Sequence, residues 1–231
     1  MQTANDVLTM LLTLDPALTG IVLLSLEVSL SAVAVAALIG APLGAALAIW
    51  RFPGRRALHL VFSTLMGLPP VVVGLCVYLM LSRAGPLGEW GLLFTPTAMV
   101  MAQTILVLPI VTILTMQAVR PLAAEYADLL TSVGARPRLR LATLLWDARF
   151  AVATALLAGF GRAVAEVGAV LIVGGNINGH TRVMTTAIAM ETSKGALELA
   201  LSLGVVLLVL ALAVNATTLG LTALGRRYES P

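Results

Sequence analysis

The sequence predicts an all-α, polytopic membrane protein with five transmembrane helices. Three observations carry this: 59% of the 231 residues are hydrophobic against 11% charged, mean hydropathy is +1.01, and the apolar residues gather in five runs. Each run reaches the roughly 20 residues that a helix needs to cross the hydrocarbon core. A water-soluble chain this apolar would have too little polar surface to cover its core. Nucleic-acid binding is excluded as well, because the formal net charge of +3 comes from short basic clusters between apolar runs, not from one basic face. The single cysteine, Cys76, lies inside an apolar run, so the sequence offers no intramolecular disulfide and no thiolate cluster. It is expected to pack as a small hydrophobe.

Residues 1–19 precede the first run. Over residues 3–18, Leu and Met recur at near-helical spacing between Asp6 and Asp15, which predicts a short amphipathic helix on the outer membrane surface. No Lys or Arg occurs there, so a cleavable signal peptide is not expected and the N-terminus should stay on the mature protein. Spans are expected over residues 20–49, 57–81, 92–119, 150–173 and 197–223, within one transmembrane domain of residues 20–225 followed by a tail, 226–231. The first run is longer than one perpendicular crossing requires. It tilts, protrudes, or is bent by Gly40, Pro42 and Gly44. Glu27 is costly inside it and is expected near the outer surface or facing a second copy.

Orientation follows from the basic residues. Arg51, Arg55 and Arg56 follow span one, Arg120, Arg136, Arg138, Arg140 and Arg149 separate spans three and four, and Arg226 and Arg227 lie near the C-terminus. These ten face one side, against Arg83, Arg182 and Lys194 on the other, with Arg162 inside a span. The positive-inside rule places the ten in the cytoplasm, so the N-terminus faces outward and the C-terminus inward. No fixed-period or inverted repeat is evident. Five helices are few to enclose a polar pathway, and the chain is expected to pair with a second copy.

Proline marks spans two and three. Pro69 and Pro70 in the run Gly67–Gly74, and Pro109 after Ala102 and Gln103, remove backbone donors and must bend their helices, as structural kinks or as hinges beside a pathway. The largest cytoplasmic segment, 120–149, stands out among short loops. Glu125 to Val133 reads as a short helix with acidic residues in its early turns, ended by Gly134. Ala135, Arg136, Pro137 and Arg138 form the turn, and Leu139 to Phe150 opens a second helix leading into span four.

Span four carries Arg162 and Glu166, four apart on one helix face. Either charge alone inside a bilayer costs about 2.5–3.5 kcal/mol, so the two are expected to pair. The pair either ties helices together or works at an inner gate. Beyond it, Gly174, Gly175, Asn176, Asn178 and Gly179 mark a turn, and Thr185 to Met190 is too short to span and too apolar for a free loop, hence a helix tucked at the outer mouth. Thr185, Thr186, Thr192 and Ser193 offer hydroxyls, and Arg182 or Lys194 a positive charge, that could guide a tetrahedral oxyanion. A capping or partner-docking loop is the plainer alternative. His59 and His180 lack ligand partners at metal-binding spacing, so no metal site is expected. No glycine-rich phosphate loop ending in Gly-Lys-Ser/Thr occurs, nor do a nucleophile and base converge, and the chain is not expected to be an enzyme.

Several stretches are similar to a known family. Asp128, Leu129 and Leu130, then Gly134, then Leu144, Trp146 and Asp147 match in spacing the Glu-Ala-Ala, Gly and Ile-x-Leu-Pro positions of permease subunits of ATP-binding cassette (ABC) importers, although only the glycine matches in identity. The runs Leu68–Gly74, Ala102–Pro109, Glu166–Ile177 and Thr185–Thr192 resemble those of oxyanion permeases, tungstate permeases above all. The resemblance covers residues 15–225 and implies a type I importer fold carrying tungstate. Molybdate or sulfate is the alternative cargo, and a stand-alone ion-coupled anion carrier, with Arg162 and Glu166 as a charge relay, the more distant reading. It implies two permease copies in a prokaryotic inner membrane, a cytoplasmic ATPase dimer that holds the ATP and magnesium, and an extracytoplasmic oxyanion-binding protein. It further implies a docking role on the ATPase for Glu125, Asp128, Leu129, Gly134, Ala135 and Arg136. The positions implied along the translocation path or its gate are Arg162, Glu166, Gly168, Gly174, Asn176, Thr185, Thr186, Glu191 and Thr192, with Pro69, Pro70 and Pro109 as hinges.

Overall fold

The structure, a computed structural model, describes residues 15–229, with side chains as far as residue 225. The amphipathic helix expected over 3–18 falls almost wholly outside the described residues. Its last positions belong to the first span: α1 runs Pro16–Ile49, and the Asp15 carboxylate accepts the amide of Ala17 at 2.8 Å. Asp15 is thus the N-cap of α1, satisfying one of the donors that a helix start leaves open. The 34 residues of α1 make it about 51 Å long at 1.5 Å per residue. Pro42 is carried inside it without a break.

The second span is broken. Helix α2, Arg55–Leu65, and helix α3, Pro70–Leu81, meet at 102°. Pro69 is extended at φ −62°, ψ 123°, as a residue before proline must be, and Pro70 opens α3 where its missing N–H costs nothing. At 12 residues, or about 18 Å, α3 does not cross a bilayer alone. The bend expected within 57–81 is a full break into two helices: past Met66 only the tighter bonds from Gly67 to Thr64 and from Leu68 to Leu65 continue the turn, and Pro69 and Pro70 have no amide to carry it further. A single 3₁₀ turn, Gly88–Trp90, precedes α4, Pro96–Glu125. Helix α4 passes unbroken through Pro109 and Pro121. It is the most enclosed of the long helices, with 61% of its most apolar stretch buried against 39% for α1 and 17% for the last helix, α10, Leu197–Glu229. Most of the apolar surface of α10 is thus left uncovered by the rest of the chain, as on a helix that faces lipid.

Between α4 and α10 lie α5, Ala127–Ser132, α6, Pro137–Asp147, α7, Arg149–Val164, α8, Gly168–Gly174, and α9, Met184–Lys194. Glu125, expected to start the loop helix, instead ends α4. Tyr126 interrupts the helix at φ −89°, ψ 5°, before α5 begins. The fourth span is also interrupted, α7 and α8 being separated at Ala165–Val167. Among the described residues, three helices are long and apolar enough to cross a membrane alone, and there are up to five spans if each of two bent pairs, α2 with α3 at 102° and α6 with α7 at 74°, counts as one.

The chain forms two compact units. One comprises Met1–Ala32, Pro69–Gln103 and Gly161–Ala213, the other Val33–Leu68, Thr104–Phe160 and Val214–Pro231. Along the sequence the chain passes between them at 32–33, 68–69, 103–104, 160–161 and 213–214, one passage for each expected span. Small residues let backbones approach inside each unit, as in membrane helix pairs. In the first, a β-carbon on Gly74 of α3 would lie 2.7 Å from Ala169 Cα of α8. In the second, a β-carbon on Gly44 of α1 would collide with the carbonyl oxygen of Thr112 in α4. The core of the second unit joins Ala45 and Leu47 of α1 and Ile113, Met116 and Val119 of α4 to Leu130, Ala135 and Leu144 of the α5–α6 segment.

Candidate functional site

Two sites emerge, one in each unit. The first is the break in the fourth span. A helix interrupted within a membrane leaves carbonyls without partners at one end and amides without partners at the other, and both must be satisfied by protein groups. Gln103 of α4 donates its side-chain amide to the carbonyl of Ala163 at 3.1 Å, closing the C-terminal end of α7. Glu166, within the break and only 4% exposed, serves the other end: one carboxylate oxygen accepts the amide of Ala169 in the first turn of α8 at 3.1 Å. The other oxygen accepts from Arg162 Nη1 at 2.5 Å. The carbonyl of Glu166 accepts the Thr185 hydroxyl of α9 at 2.6 Å. One acid thus links the end of α7, the start of α8 and the start of α9. The expected Arg162–Glu166 pair is present, and it is asymmetric, the arginine side chain being 35% exposed.

Helix α9 is fastened beside this break. The amide of Met184 donates to Ser25 Oγ of α1 at 2.8 Å, and the Ser25 hydroxyl in turn donates a hydrogen bond to the carbonyl of Ile21 at 2.7 Å. Asn176, held at φ 52°, donates its side-chain amide to the carbonyl of Thr186 at 3.4 Å. Buried Glu191 receives Lys194 Nζ at 3.1 Å and Arg182 Nη1 at 3.5 Å. The Thr186 hydroxyl donates to the Val183 carbonyl and accepts the Val183 amide, capping α9. Both Thr185 and Thr186 hydroxyls are therefore engaged with backbone and buried, whereas Thr192 and Ser193 are exposed. Three buried polar atoms in this unit have no partner among the described residues: Gln103 Oε1, Asn176 Oδ1 and Arg182 Nε.

The second site is the α5–α6 corner. Gly134 adopts φ +61°, a conformation that costs a side-chain-bearing residue about 1–2 kcal/mol. The amides of Gly134 and Ala135 donate to the carbonyls of Thr131 and Leu130, each at 3.0 Å, the paired bonds of a Schellman ending. Arg140 of α6 then clamps the corner, with Nε to the carbonyl of Ala135 at 3.0 Å and Nη2 to the carbonyl of Leu130 at 3.1 Å. Leu130 and Ala135 anchor the corner in the core while Leu129, Val133 and Leu139 stay exposed. At the base, the Asp147 carboxylate, with partial burial, their hydrogen bond and Glu125 adding to it, holds the Tyr126 phenol above its ordinary range. It remains a neutral donor tying the end of α4 to the end of α6. The result is a rigid knob with an apolar tip.

No protein-family profile matches the chain. It is 45% identical over 217 residues to the probable anion ABC transporter permease protein of Haloferax volcanii, covering 92% of this chain and 90% of that one. It is also 42% identical over 207 residues to the tungstate uptake system permease protein TupB of Peptoclostridium acidaminophilum, covering 90% and 91%. The chain belongs to the permease proteins of ABC transporters. A molybdenum transport system permease protein, ModB of Mycobacterium bovis, is 30% identical over 212 residues.

In this permease, the residues singled out along the sequence divide into two groups. Arg162, Glu166, Gly168, Gly174, Asn176, Thr185, Thr186 and Glu191 come together around the broken span and α9. Leu129, Gly134, Ala135 and Arg136 share the corner, where Arg136 is the N-cap residue of α6 and Glu125 and Asp128 are exposed. Sequence reasoning missed Arg140 and Ser25. The signals were a guanidinium one turn into the helix after a glycine stop, and a hydroxyl inside an apolar run.

Proposed function

We propose that this permease carries a tetrahedral oxyanion, tungstate, into the cytoplasm of a prokaryote, as one of two copies driven by a pair of ATPase subunits and supplied by an extracytoplasmic binding protein. The observation that carries the proposal is the identity of 42–45% to anion and tungstate permeases over about nine-tenths of the chain. Molybdenum and sulfate permeases stand further off, at 30% and 28%, and supply the second reading.

Ten of the fourteen Lys and Arg fall in the segments of the second unit and four in those of the first. This supports a cytoplasmic second unit, an outer N-terminus and a cytoplasmic C-terminus. The α5–α6 corner then projects toward the ATPase. An apolar tip on a clamped corner suits a groove in that partner, where ATP and magnesium reside, and its rigidity lets a closing motion reach α4 and α7 without being absorbed. Arg162 and Glu166 sit where three helix ends meet, so a rigid-body displacement of α7 against α8 and α9 must break or re-form their bond. We assign the break of the fourth span to the gate on that ground, with Pro69 and Pro70 as the hinge of the second span. The oxyanion itself is handled weakly, since Arg162 and Arg182 are already paired with carboxylates.

Elemental analysis of cells lacking this chain tests the cargo. Loss of tungstate uptake, restored by the intact gene and outcompeted by tungstate better than by molybdate or sulfate, is the expected outcome. Unchanged tungstate uptake would reject it.

A further inference from the structure

A basic hollow in the second unit has no part in the functions above. Arg51, Phe52, Arg55, Arg56, His59 and Arg120 are among the residues lining a cavity of about 750 Å³. Its four guanidiniums come from the chain just past α1, from the first turn of α2 and from α4. No carboxylate lines it, and none of the four enters an ion pair among the described residues. Like charges gathered without counter-charge are favourable only where the surroundings supply anions.

Helix α2 indicates which anion. None of its residues is buried. At 100° per residue Arg55, Arg56, His59 and Ser63 fall on one arc and Ala57, Leu58, Val61, Phe62 and Leu65 on the other. Phe62 leans on the core of the unit, but Leu58 and Val61 of the apolar arc are uncovered, Val61 at 52%. With 11 residues, α2 spans about 17 Å, and because it meets α3 at 102° the two do not form one straight crossing, which leaves α2 able to lie in the interface where α3 turns inward. Trp50 and Phe52, also exposed, stand where aromatic side chains mark the head-group level.

We propose that the hollow binds the phosphate head group of an anionic phospholipid of the cytoplasmic leaflet, with α2 lying along the interface so that its basic arc meets the head group and its apolar arc the acyl chains. A free anion would use the guanidiniums and leave the apolar arc unexplained. A phospholipid uses both. The inference rests on the sidedness proposed above only for the choice of leaflet.

The test is native mass spectrometry of the purified, delipidated full chain offered phosphatidylglycerol and phosphatidylcholine in equal amounts. The expected result is retention of phosphatidylglycerol over phosphatidylcholine by about tenfold or more. The preference should vanish when Arg51, Arg55, Arg56 and Arg120 are all changed to Gln and persist when all four are changed to Lys, with helical content by circular dichroism unchanged. A second variant, Leu58→Ser with Val61→Ser, leaves the guanidiniums in place and should weaken retention of both lipids. Equal retention of the two lipids, a preference that survives in the Gln variant, or unchanged retention by the Ser variant would overturn the proposal. So would displacement of the lipid by millimolar inorganic phosphate or tungstate, which would assign the hollow to a free anion. No transport is measured, so a wrong cargo assignment leaves this result standing.

Discussion

Glu166 carries more of the first site than any other single residue, because three helix ends converge on its two oxygens and its carbonyl. Replacing it with Gln keeps the shape and an acceptor for the Ala169 amide but leaves Arg162 without its carboxylate. Removing one partner of a buried ion pair costs about 3–5 kcal/mol. Arg162 retains 35% of its side-chain exposure, so solvent relieves part of this, and a loss of about 1–3 kcal/mol is expected. The thermal midpoint of the detergent-purified chain checks it. Glu166→Gln should lower that midpoint and cut ATP-driven uptake by about fivefold or more, taking one tenfold per 1.4 kcal/mol. A variant with wild-type uptake would remove the pair from the gate. The pair itself was legible in the sequence, since a spacing of four on an apolar helix has few other readings. Its neighbours were not. The bonds from Gln103 to Ala163 and from Ser25 to Met184 join residues 60 and 159 positions apart, and no local pattern encodes such partners.

At the scale of elements, the glycine corner was readable because Gly134 ends a helical pattern and Pro137 begins another, each a local backbone constraint. The breaks in spans two and four were harder. Hydropathy averages over windows longer than α3 or α8, so two short helices that follow one another in the sequence look like one span. The prolines located the first break. The second, at Ala165–Val167, has no proline and depends on Gln103 and Thr185, which arrive from other parts of the chain. The clamp at the corner yields its own prediction. Arg140→Ala leaves the Leu130 and Ala135 carbonyls without their guanidinium, and Gly134→Val forces a β-branched residue to φ +61° at a cost of about 1–2 kcal/mol or more. Both should reduce co-purification of the ATPase subunit and uncouple its hydrolysis from uptake, while the chain still inserts. Arg138→Ala, at an exposed position, should do neither. Equal effects at positions 138 and 140 would argue for bulk charge instead of a clamped corner.

At the scale of the whole molecule, the class was decided by composition and by the five apolar runs, since a mean hydropathy of +1.01 lies well outside the average for water-soluble domains. Direction across the membrane rests on the distribution of fourteen basic residues, and it is testable. In a background with Cys76 replaced by Ser, a cysteine at exposed Arg138 should be shielded in intact cells from a membrane-impermeant maleimide, and one at exposed Lys194 should react. The reverse pattern would invert the topology and move the α5–α6 corner to the wrong side for an ATPase. The central claim is that this chain is a passive conduit made directional by a partner that hydrolyses ATP. The most direct measurement is tungstate accumulation in proteoliposomes holding this chain with its ATPase subunits and with the binding protein outside. The account predicts accumulation with ATP and none with a non-hydrolysable analogue or without the ATPase. Sustained tungstate flux through the chain alone would contradict it.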